Sequence, residues 1–382
     1  MPTTTSIRRL LAISFFFAFV LGAAGAVFLL RAPGFSLTEE ISAAQTKPGD
    51  TEDADSDTND TANSWPEDAG TPEQVMYAQP QLMQAATQQL LPRHPHKTNL
   101  YLIGFAGDGD ENVFRNEVEY VDRQFSERFD SAGHTLMLIN NPATLQQHPL
   151  ASLTNLQTAV DAVAARMDNE QDVLLLFLTS HGSREHELYV GLDPLPLDQI
   201  APSDLSELLA KSKIRYKVIV ISACYSGGFI DALKDSTTMV ITAAREDRTS
   251  FGCGMKSDIT NFGRAFFLEG LNHNDSFTSA FAEAERLIDG WETRDDDEHS
   301  YPQLVTTPQI EARLKTWRSG IHLGPPQPFT PATLPPPESD GGTLTAATMS
   351  REFQRATTIR RQAPRDCDLR PWRRTARDPH CG

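Results

Sequence analysis

The segment LLLFLTSHGS, residues 174–183, is apolar over its first five positions and becomes polar around His181. The segment VIVISACYSGG, residues 218–228, repeats this pattern around Cys224. Strands that read as continuous apolar runs are buried on both faces, which is typical of a parallel sheet covered by helices. We therefore predict two buried strands, each of which ends beside a chemically reactive side chain.

Strand-like and helix-like segments alternate through this part of the chain. The predicted strands are 98–107, 134–141, 172–180, 216–223 and 237–244, and the predicted helices between them are 111–129, 153–167 and 202–212. Repeated β-α-β connections predict an α/β fold with a mainly parallel sheet flanked by helices. Ligands bind outside the carboxyl ends of the strands in such sheets. Because His181 and Cys224 follow the ends of the third and fourth strands, we expect both at one rim of the sheet.

The chain of 382 residues divides by composition into segments of different character. Its formal net charge of −17 at pH 7 argues against nucleic acid as the main partner, since phosphate binding favours a basic surface. We predict a cytosolic N-terminus, a transmembrane anchor, an acidic disordered linker, an α/β domain, and a proline-rich linker with an arginine-rich tail. These segments are 1–9, 10–30, 31–97, 98–318 and 319–382, respectively.

Residues 10–30 form an uncharged run of twenty-one residues that follows Arg8 and Arg9. A helix of that length spans the ~30 Å hydrocarbon core of a bilayer, and flanking positive charge favours the cytosolic side. This pattern predicts a single-pass protein of the inner (plasma) membrane whose domain lies on the periplasmic, exported side. The alternative is a cleaved signal peptide, because Ala24 and Ala26 form an A-x-A site, but the apolar run continues beyond that site and favours an anchor.

The regions on either side of the domain have compositions typical of disorder. Residues 48–92 contain no Lys or Arg, and their acidic first half has too few apolar side chains to offset the entropy of folding. Residues 324–340 are proline-rich and predict an extended linker. From Arg351 onward the tail has nine arginines and four acidic residues. We predict that this tail is a solvated end, or that it contacts an anionic membrane surface or an acidic partner.

A cysteine and a histidine at one rim of a sheet suit nucleophilic catalysis. A thiol reacts as the thiolate, and a neighbouring imidazole both lowers the thiol pKa and carries protons. Gly227 and Gly228 permit a tight turn after Cys224, where backbone N–H groups can hold an oxyanion, and Gly182 leaves room beside His181. The alternatives without catalysis are a buried cysteine and a turn histidine. The His and Cys residues of the domain lack zinc-ligand spacing, so we predict no metal and no cofactor.

Two motifs resemble those of peptidase family C13, the legumain-like cysteine endopeptidases. TSHGS and SACYSGG stand in this order with forty-three positions from His181 to Cys224, and TAAREDRTSFGCG, residues 242–254, is similar to the stretch that follows the nucleophile strand. Bacterial membrane-anchored members are the most similar. The resemblance covers 98–318 and implies a caspase- or legumain-like fold. It also implies that Cys224 is the nucleophile, that His181 is the general base or acid, and that the N–H groups of Gly182 and Cys224 form the oxyanion hole.

The resemblance further implies a pocket that reads Asn or Asp at the P1 position of a substrate. Asp258, within SDITNFGRAFF at 257–267, corresponds to the acid of that pocket; alternatively, it caps the helix that begins near Thr260. Ser222 stands where legumain-like proteins have a pocket glutamate, two residues before the nucleophile. This departure removes one hydrogen-bond acceptor for a P1 amide. Because an unpaired buried polar group costs ~1–3 kcal/mol, the change argues against strict specificity for Asn but not against hydrolysis.

The turn after the first predicted strand, GDGDENVFR, supplies the remaining site residues that the resemblance implies. Asn112 would orient the imidazole of His181, and Arg115 would line the P1 pocket. The spacing in this turn is one residue longer than the legumain pattern.

Three functions follow from these patterns. The leading one is a membrane-anchored cysteine endopeptidase that cleaves protein or peptide substrates through an acyl-enzyme. A transamidase or peptide ligase would use the same acylation step, with an amine in place of water in the second step. An inactive envelope scaffold protein would keep the fold without the chemistry, but the presence of His181, Cys224 and their neighbouring glycines argues against it.

Overall fold

A single sheet organises the part of the chain that the computed structural model describes, residues 65–66, 69–254 and 257–331. Its strands are β1 (Leu100–Ala106), β2 (Thr135–Ile139), β3 (Val173–Thr179), β4 (Tyr216–Ser222), β5 (Thr238–Thr242) and β6 (Gln303–Val305). They lie in the order β2-β1-β3-β4-β5-β6, and only the pairing of β5 with β6 is antiparallel in this sheet. This arrangement confirms the predicted α/β class and fits the caspase- or legumain-like fold.

Helices cover both faces of the sheet. They are α1 (Pro72–Gln89), α2 (Asn112–Glu127), α3 (Leu153–Ala164), α4 (Pro202–Ser212), α5 (Ile230–Leu233), α6 (Asn261–Gly263), α7 (Leu271–His273), α8 (Phe277–Asp295) and α9 (Pro308–Ser319), with a π-helical stretch, Arg264–Gly270, between α6 and α7. In β3, Val173, Leu175 and Phe177 share a core with α2, α8 and α9. Leu174 and Leu176 share the opposite core with α3 and α4. This two-sided burial is why β3 reads as an unbroken apolar run.

The register of β3 and β4 determines where the two reactive side chains stand. Thr179, at the end of β3, pairs with Ser222, at the end of β4. His181 and Cys224 each follow this pair by two residues. Both therefore lie at the carboxyl-terminal rim of the sheet, as the sequence predicts.

Helix α1 lies within the segment 31–97 that we predicted to be a disordered linker. Thr71 caps it in a reciprocal capping box, and two of its apolar side chains are buried. The buried amide of Gln79 docks the helix, because its Oε1 accepts from the backbone N–H of Leu150 at 2.8 Å and from Asn155 Nδ2 at 2.9 Å. The prediction of disorder is wrong for α1, since Val75, Met83 and the amide of Gln79 together dock this helix on the domain.

The predicted linker 324–340 packs on the domain over its described part. Helix α9 ends at Ser319, and the chain then returns to the domain. Gln327 is buried, and its carbonyl oxygen accepts from the Tyr120 hydroxyl at 3.1 Å. The ring of Phe329 lies 5.5 Å from that of Tyr120. The domain therefore continues beyond the predicted boundary at 318.

The described residues contain no helix with both the length and the apolar character needed to cross a bilayer. The predicted anchor, residues 10–30, lies outside these residues, as do most of the predicted acidic linker and the arginine-rich tail.

Candidate active site

The loops that carry His181 and Cys224 are in contact at the rim of the sheet. A Cβ atom added to Gly182, the residue after His181, would overlap the carbonyl oxygen of Cys224. Only a residue without a side chain fits such a close approach of two backbones. The structure therefore brings three of the predicted site residues together.

The chain turns sharply after Cys224 and packs against the segment that follows β5. Tyr225 has a left-handed backbone, with φ of 56°, and its N–H donates to the carbonyl oxygen of Arg248 at 2.7 Å. The N–H of Gly227 donates to the carbonyl oxygen of Ala244 at 2.9 Å, and a Cβ at Gly227 would overlap the backbone of the same segment. The tight turn predicted from the glycines is confirmed.

The sulfur of Cys224 is partly buried beside polar groups. Its Sγ lies 3.3 Å from the backbone nitrogen and 3.6 Å from the carbonyl oxygen of Ser250. A hydrogen bond from the Cys253 thiol lowers the pKa of Cys224 to about 6, helped by the Ser250 hydrogen bonds and by the charge of His181, although burial acts in the opposite direction. The same contact raises the pKa of Cys253, and burial adds to this effect. These contacts favour the thiolate form of Cys224, which is the form that reacts.

Two carboxyl groups lie close to the imidazole of His181. Its Nε2 lies 3.4 Å from Asp108 Oδ2 and 3.3 Å from Glu111 Oε2, and the edge of the ring packs on Phe114 at 5.1 Å between centroids. The side chain of His181 remains 37% exposed, so a substrate can reach it. Asn112, which we predicted to orient His181, instead accepts a 2.9 Å hydrogen bond from Asn141 Nδ2. That prediction is corrected: in this structure the orienting groups are carboxyls.

The positions of these carboxyl groups follow from how the chain leaves β1. Asp108 comes two residues after the strand, is buried, and accepts at Oδ1 from the N–H of Asp110. Glu111 directly precedes the first residue of α2. Burial raises the pKa of both Asp108 and Glu111, and the charge of His181 acts in the opposite direction. Both carboxyl groups thus lie close to the imidazole of His181.

Asp108, Glu111 and His181 also have the atom types of a cation site. Each offers one ligand atom, and these atoms lie within 4.8 Å of one another. Because both carboxyl groups face the same Nε2 atom, we assign them to orientation of the imidazole.

Two backbone N–H groups beside the nucleophile, those of Gly182 and Cys224, have no backbone acceptor among the described residues. Free N–H groups at the nucleophile are what an oxyanion requires. Both groups belong to residues for which the sequence predicted this role.

The residues proposed for the P1 pocket lie around the start of α6. Ser222 is buried, and its Oγ lies 3.2 Å from Thr260 Oγ1. Asp258 is exposed, and its carbonyl oxygen accepts from Asn116 Nδ2 at 3.1 Å. Thr260, not Asp258, caps α6, because its side chain accepts from the N–H of Gly263 at 2.8 Å. The alternative in which Asp258 is the helix cap is therefore wrong.

Arg115 does not point a free guanidinium at these residues. It forms a 2.8 Å ion pair with Glu119, one turn later on α2, and lies 3.4 Å from the side-chain oxygen of Asn141. Ser222, Asp258 and Arg115 are thus not joined by direct contacts in the structure.

A cavity of about 330 Å³ opens beside His181. It is lined by Asp108, Asp110, His181, Gly182, Ser183, Glu187, Tyr189 and Gln199. Sequence reasoning identified His181 and Gly182 but missed the other lining residues, which come from the turn after β1 and from the part of the β3–α4 loop beyond Gly182. A larger cavity of about 690 Å³ lies between α1 and α3, and no predicted site residue lines it.

Comparison with known proteins points to one family. Residues 151–310 match the model of the Peptidase C13 family, and this span contains His181 and Cys224 but not Asp108 or Glu111. No curated protein matches the chain. The matched span includes β3 to β6 and the two loops that meet at Gly182. The match over residues 151–310 supports a legumain-like peptidase of the C13 family.

Proposed function

We propose that the chain is a cysteine endopeptidase with Cys224 as nucleophile and His181 as proton carrier. The match to the C13 family supports a cysteine-type peptidase in general terms. The observation that carries the specific assignment is the contact of Gly182 with the Cys224 carbonyl oxygen, because it places the two reactive loops side by side.

In the acylation step, the Cys224 thiolate attacks the carbonyl carbon of the scissile peptide bond. The N–H groups of Gly182 and Cys224 donate to the oxygen on which negative charge develops. The protonated imidazole of His181 then gives its proton to the nitrogen of the leaving amine, and the C–N bond breaks. A thioester between the substrate acyl group and Cys224 remains.

In the deacylation step, neutral His181 takes a proton from water as the oxygen attacks the thioester carbonyl. The C–S bond breaks, the acid product leaves, and the thiolate and imidazolium form again. Asp108 and Glu111 favour this charged pair, because both carboxyl groups lie within 3.4 Å of His181 Nε2. Transamidation replaces the water of this step by an amine.

We propose a P1 preference for Asn or Asp, with Asp258 as the acceptor for a P1 amide. Its exposed carboxylate makes no ion pair within the described residues. Ser222 and Arg115 are the other proposed pocket residues, although Glu119 holds Arg115 in the structure. Asp258→Ala should lower kcat/KM for a P1 Asn peptide by roughly 10- to 100-fold, since such a contact is worth ~1–3 kcal/mol.

The control for Asp258→Ala is Glu285→Ala, which removes an exposed acid from α8. Glu285→Ala should leave the P1 profile unchanged. If folded Asp258→Ala keeps the wild-type P1 profile, Asp258 does not determine specificity.

Cleavage-site sequencing tests the activity as a whole. The full-length protein is incubated with a peptide library, and the products are sequenced with and without added amine acceptors. Cleavage that depends on Cys224 supports the peptidase, and amide products formed with the acceptor identify a transamidase. Products that are equally abundant with Cys224→Ala would reject both functions.

We further propose that residues 10–30 anchor the chain in the inner membrane, with the catalytic domain on the exported side. The uncharged run behind Arg8 and Arg9 supports this topology. The nine arginines of the tail would then contact anionic lipid headgroups or an acidic partner.

A further inference from the structure

Glu117 is a carboxyl group in the interior of the domain that catalysis as described above does not use. It lies on α2 and is completely buried, with 0% of its surface exposed. No charged side chain contacts it within the described residues; its neighbours there are Thr179, Thr260 and Gly263. A buried carboxyl group without a cationic partner is unfavourable unless hydrogen bonds compensate it.

Two hydroxyl groups from different elements provide these hydrogen bonds. Thr179, at the end of β3, donates to Glu117 Oε2, and Thr260, at the cap of α6, donates to Glu117 Oε1 at 2.6 Å. Since the Thr260 proton points to Glu117, the Ser222 hydroxyl is the donor in its 3.2 Å contact with Thr260 Oγ1. The network thus runs from Thr179 through Glu117 and Thr260 to Ser222.

The two ends of this network are the last residues of the strands that lead to the catalytic pair. Thr179 and Ser222 lie opposite each other in the register of β3 and β4. His181 and Cys224 follow them by two residues each. The carboxyl group of Glu117 therefore connects the end of the His181 strand with the end of the Cys224 strand.

The residues around Glu117 restrict the position of its carboxyl group. A Cβ atom at Gly263 would overlap Glu117 Oε1, so the carboxyl group packs directly against the Gly263 backbone. Thr260 is held in turn by the N–H of Gly263 at 2.8 Å. The carboxyl group is thus fixed by packing as well as by hydrogen bonds.

We propose that Glu117 is a positioning residue for the Cys224–His181 pair. Its carboxyl group accepts from both hydroxyls and thereby sets the spacing of the two strand ends from which the catalytic loops depart. This role rests on the proposed cysteine peptidase function, since it concerns the geometry of that pair.

The effect of Glu117 on the free energy of unfolding supports a role other than stabilisation. Burial raises its pKa from the ordinary 4.5 to about 7, although the hydrogen bonds from Thr179 and Thr260 oppose this rise. The folded protein therefore binds a proton that the unfolded chain releases, so the presence of Glu117 lowers stability as the pH rises through this window. A neutral side chain of the same shape avoids this loss.

Ionisation also changes what Glu117 can accept. The ionised carboxylate accepts from both threonines, whereas the protonated form carries a hydrogen on one oxygen and prefers to donate there. Glutamine resembles the protonated form at every pH, because its amide nitrogen donates. Glu117→Gln therefore keeps the volume and removes one of the two acceptors.

The test measures kcat, KM, Tm and the rate of Cys224 alkylation by iodoacetamide in the full-length protein at pH 8. We expect Glu117→Gln to lower kcat at least tenfold, with KM within twofold and Tm equal to or above that of the wild type. Thr179→Val should act in the same direction, and Thr179→Ser should restore kcat to within twofold of the wild type. Asp122→Asn is the matched control, because Asp122 is another acid on α2 whose pKa is raised by burial, but its side chain bonds to Thr135 at the start of the edge strand β2.

Two outcomes would overturn the proposal: wild-type kcat in Glu117→Gln, or a loss of kcat that is matched by a fall in Tm. If the wild type shows no cleavage that depends on Cys224, the proposed function fails. The rate of Cys224 alkylation then tests separately whether Glu117 positions the Cys224–His181 pair. Positioning predicts that Glu117→Gln changes this rate and that Asp122→Asn does not. If Glu117→Gln does not fold, the pair Thr179→Val and Thr179→Ser gives the same comparison.

Discussion

Replacing Gly182 by alanine tests whether the His181 and Cys224 loops must touch for catalysis. The added Cβ would overlap the carbonyl oxygen of Cys224, so the loops must separate by about 1 Å to reach an ordinary contact distance. Both proposed oxyanion donors, Gly182 N–H and Cys224 N–H, move with these loops. A misplacement of about 1 Å in a catalytic arrangement costs on the order of 100-fold in rate.

A 100-fold loss corresponds to about 2.7 kcal/mol of transition-state stabilisation. We expect most of it in kcat, because oxyanion contacts form mainly in the transition state. Steady-state cleavage of the best library peptide gives kcat and KM, and thermal unfolding of the same samples reports stability. Overpacking should also lower stability by roughly 1–3 kcal/mol, so rates are compared at a temperature where each variant is folded.

Gly254→Ala is the matched control for Gly182→Ala. A Cβ at Gly254 meets nothing within 4 Å, and this glycine directly follows Cys253 near the same site. Its kcat should stay within twofold of the wild type. If folded Gly182→Ala also cleaves at the wild-type rate, the contact between the loops is not part of the catalytic geometry.

Three further predictions concern the thiol, the imidazole and the membrane. The rate of Cys224 alkylation should be half-maximal near pH 6, the value of its lowered pKa. Cys253→Ala should shift this midpoint to higher pH, because it removes the hydrogen bond that is the main cause of the lowered pKa; an unchanged midpoint would contradict that cause. Asp108→Asn should lower kcat at least tenfold, since it removes negative charge beside the imidazolium, whereas Asn112→Ala should have less than a twofold effect; the reverse order would restore Asn112 as the orienting residue. The full-length protein should resist carbonate extraction from membranes and deletion of 10–30 should release it; a mature protein that begins near residue 27 would show a cleaved signal peptide instead.

The sheet was predictable from sequence because each parallel strand is buried on both faces. In β3 every residue is buried, so hydrophobicity alone marks the strand. The reactive residues were predictable for the same reason, because His181 and Cys224 interrupt two such runs at equivalent points. Helix α1 was not predictable in this way, since its docking depends on Gln79, a polar side chain that carries no hydrophobic signal.

The sequence did not reveal which carboxyl groups lie beside His181, because their turn contains several acidic residues. GDGDENVFR contains three acidic residues, and the path of the backbone decides that Asp108 and Glu111 each bring a carboxyl oxygen within 3.4 Å of His181 Nε2. Glu117 was hidden for a different reason. An acid in a helix is ordinarily assigned to the solvent side, because burial of a charge is unfavourable, and its two threonine partners are distant in sequence.

The most direct test of the central claim compares peptide cleavage by the wild-type full-length protein with that by Cys224→Ala, His181→Ala and the double variant. If the two residues act as one unit, each single variant should lose nearly all activity, and the double variant should be little worse than either. Intact-mass spectrometry of the wild type during turnover should also show a substrate acyl group on Cys224. Near-full activity of Cys224→Ala, or single-variant effects that multiply in the double variant, would contradict the assignment of a Cys224–His181 pair.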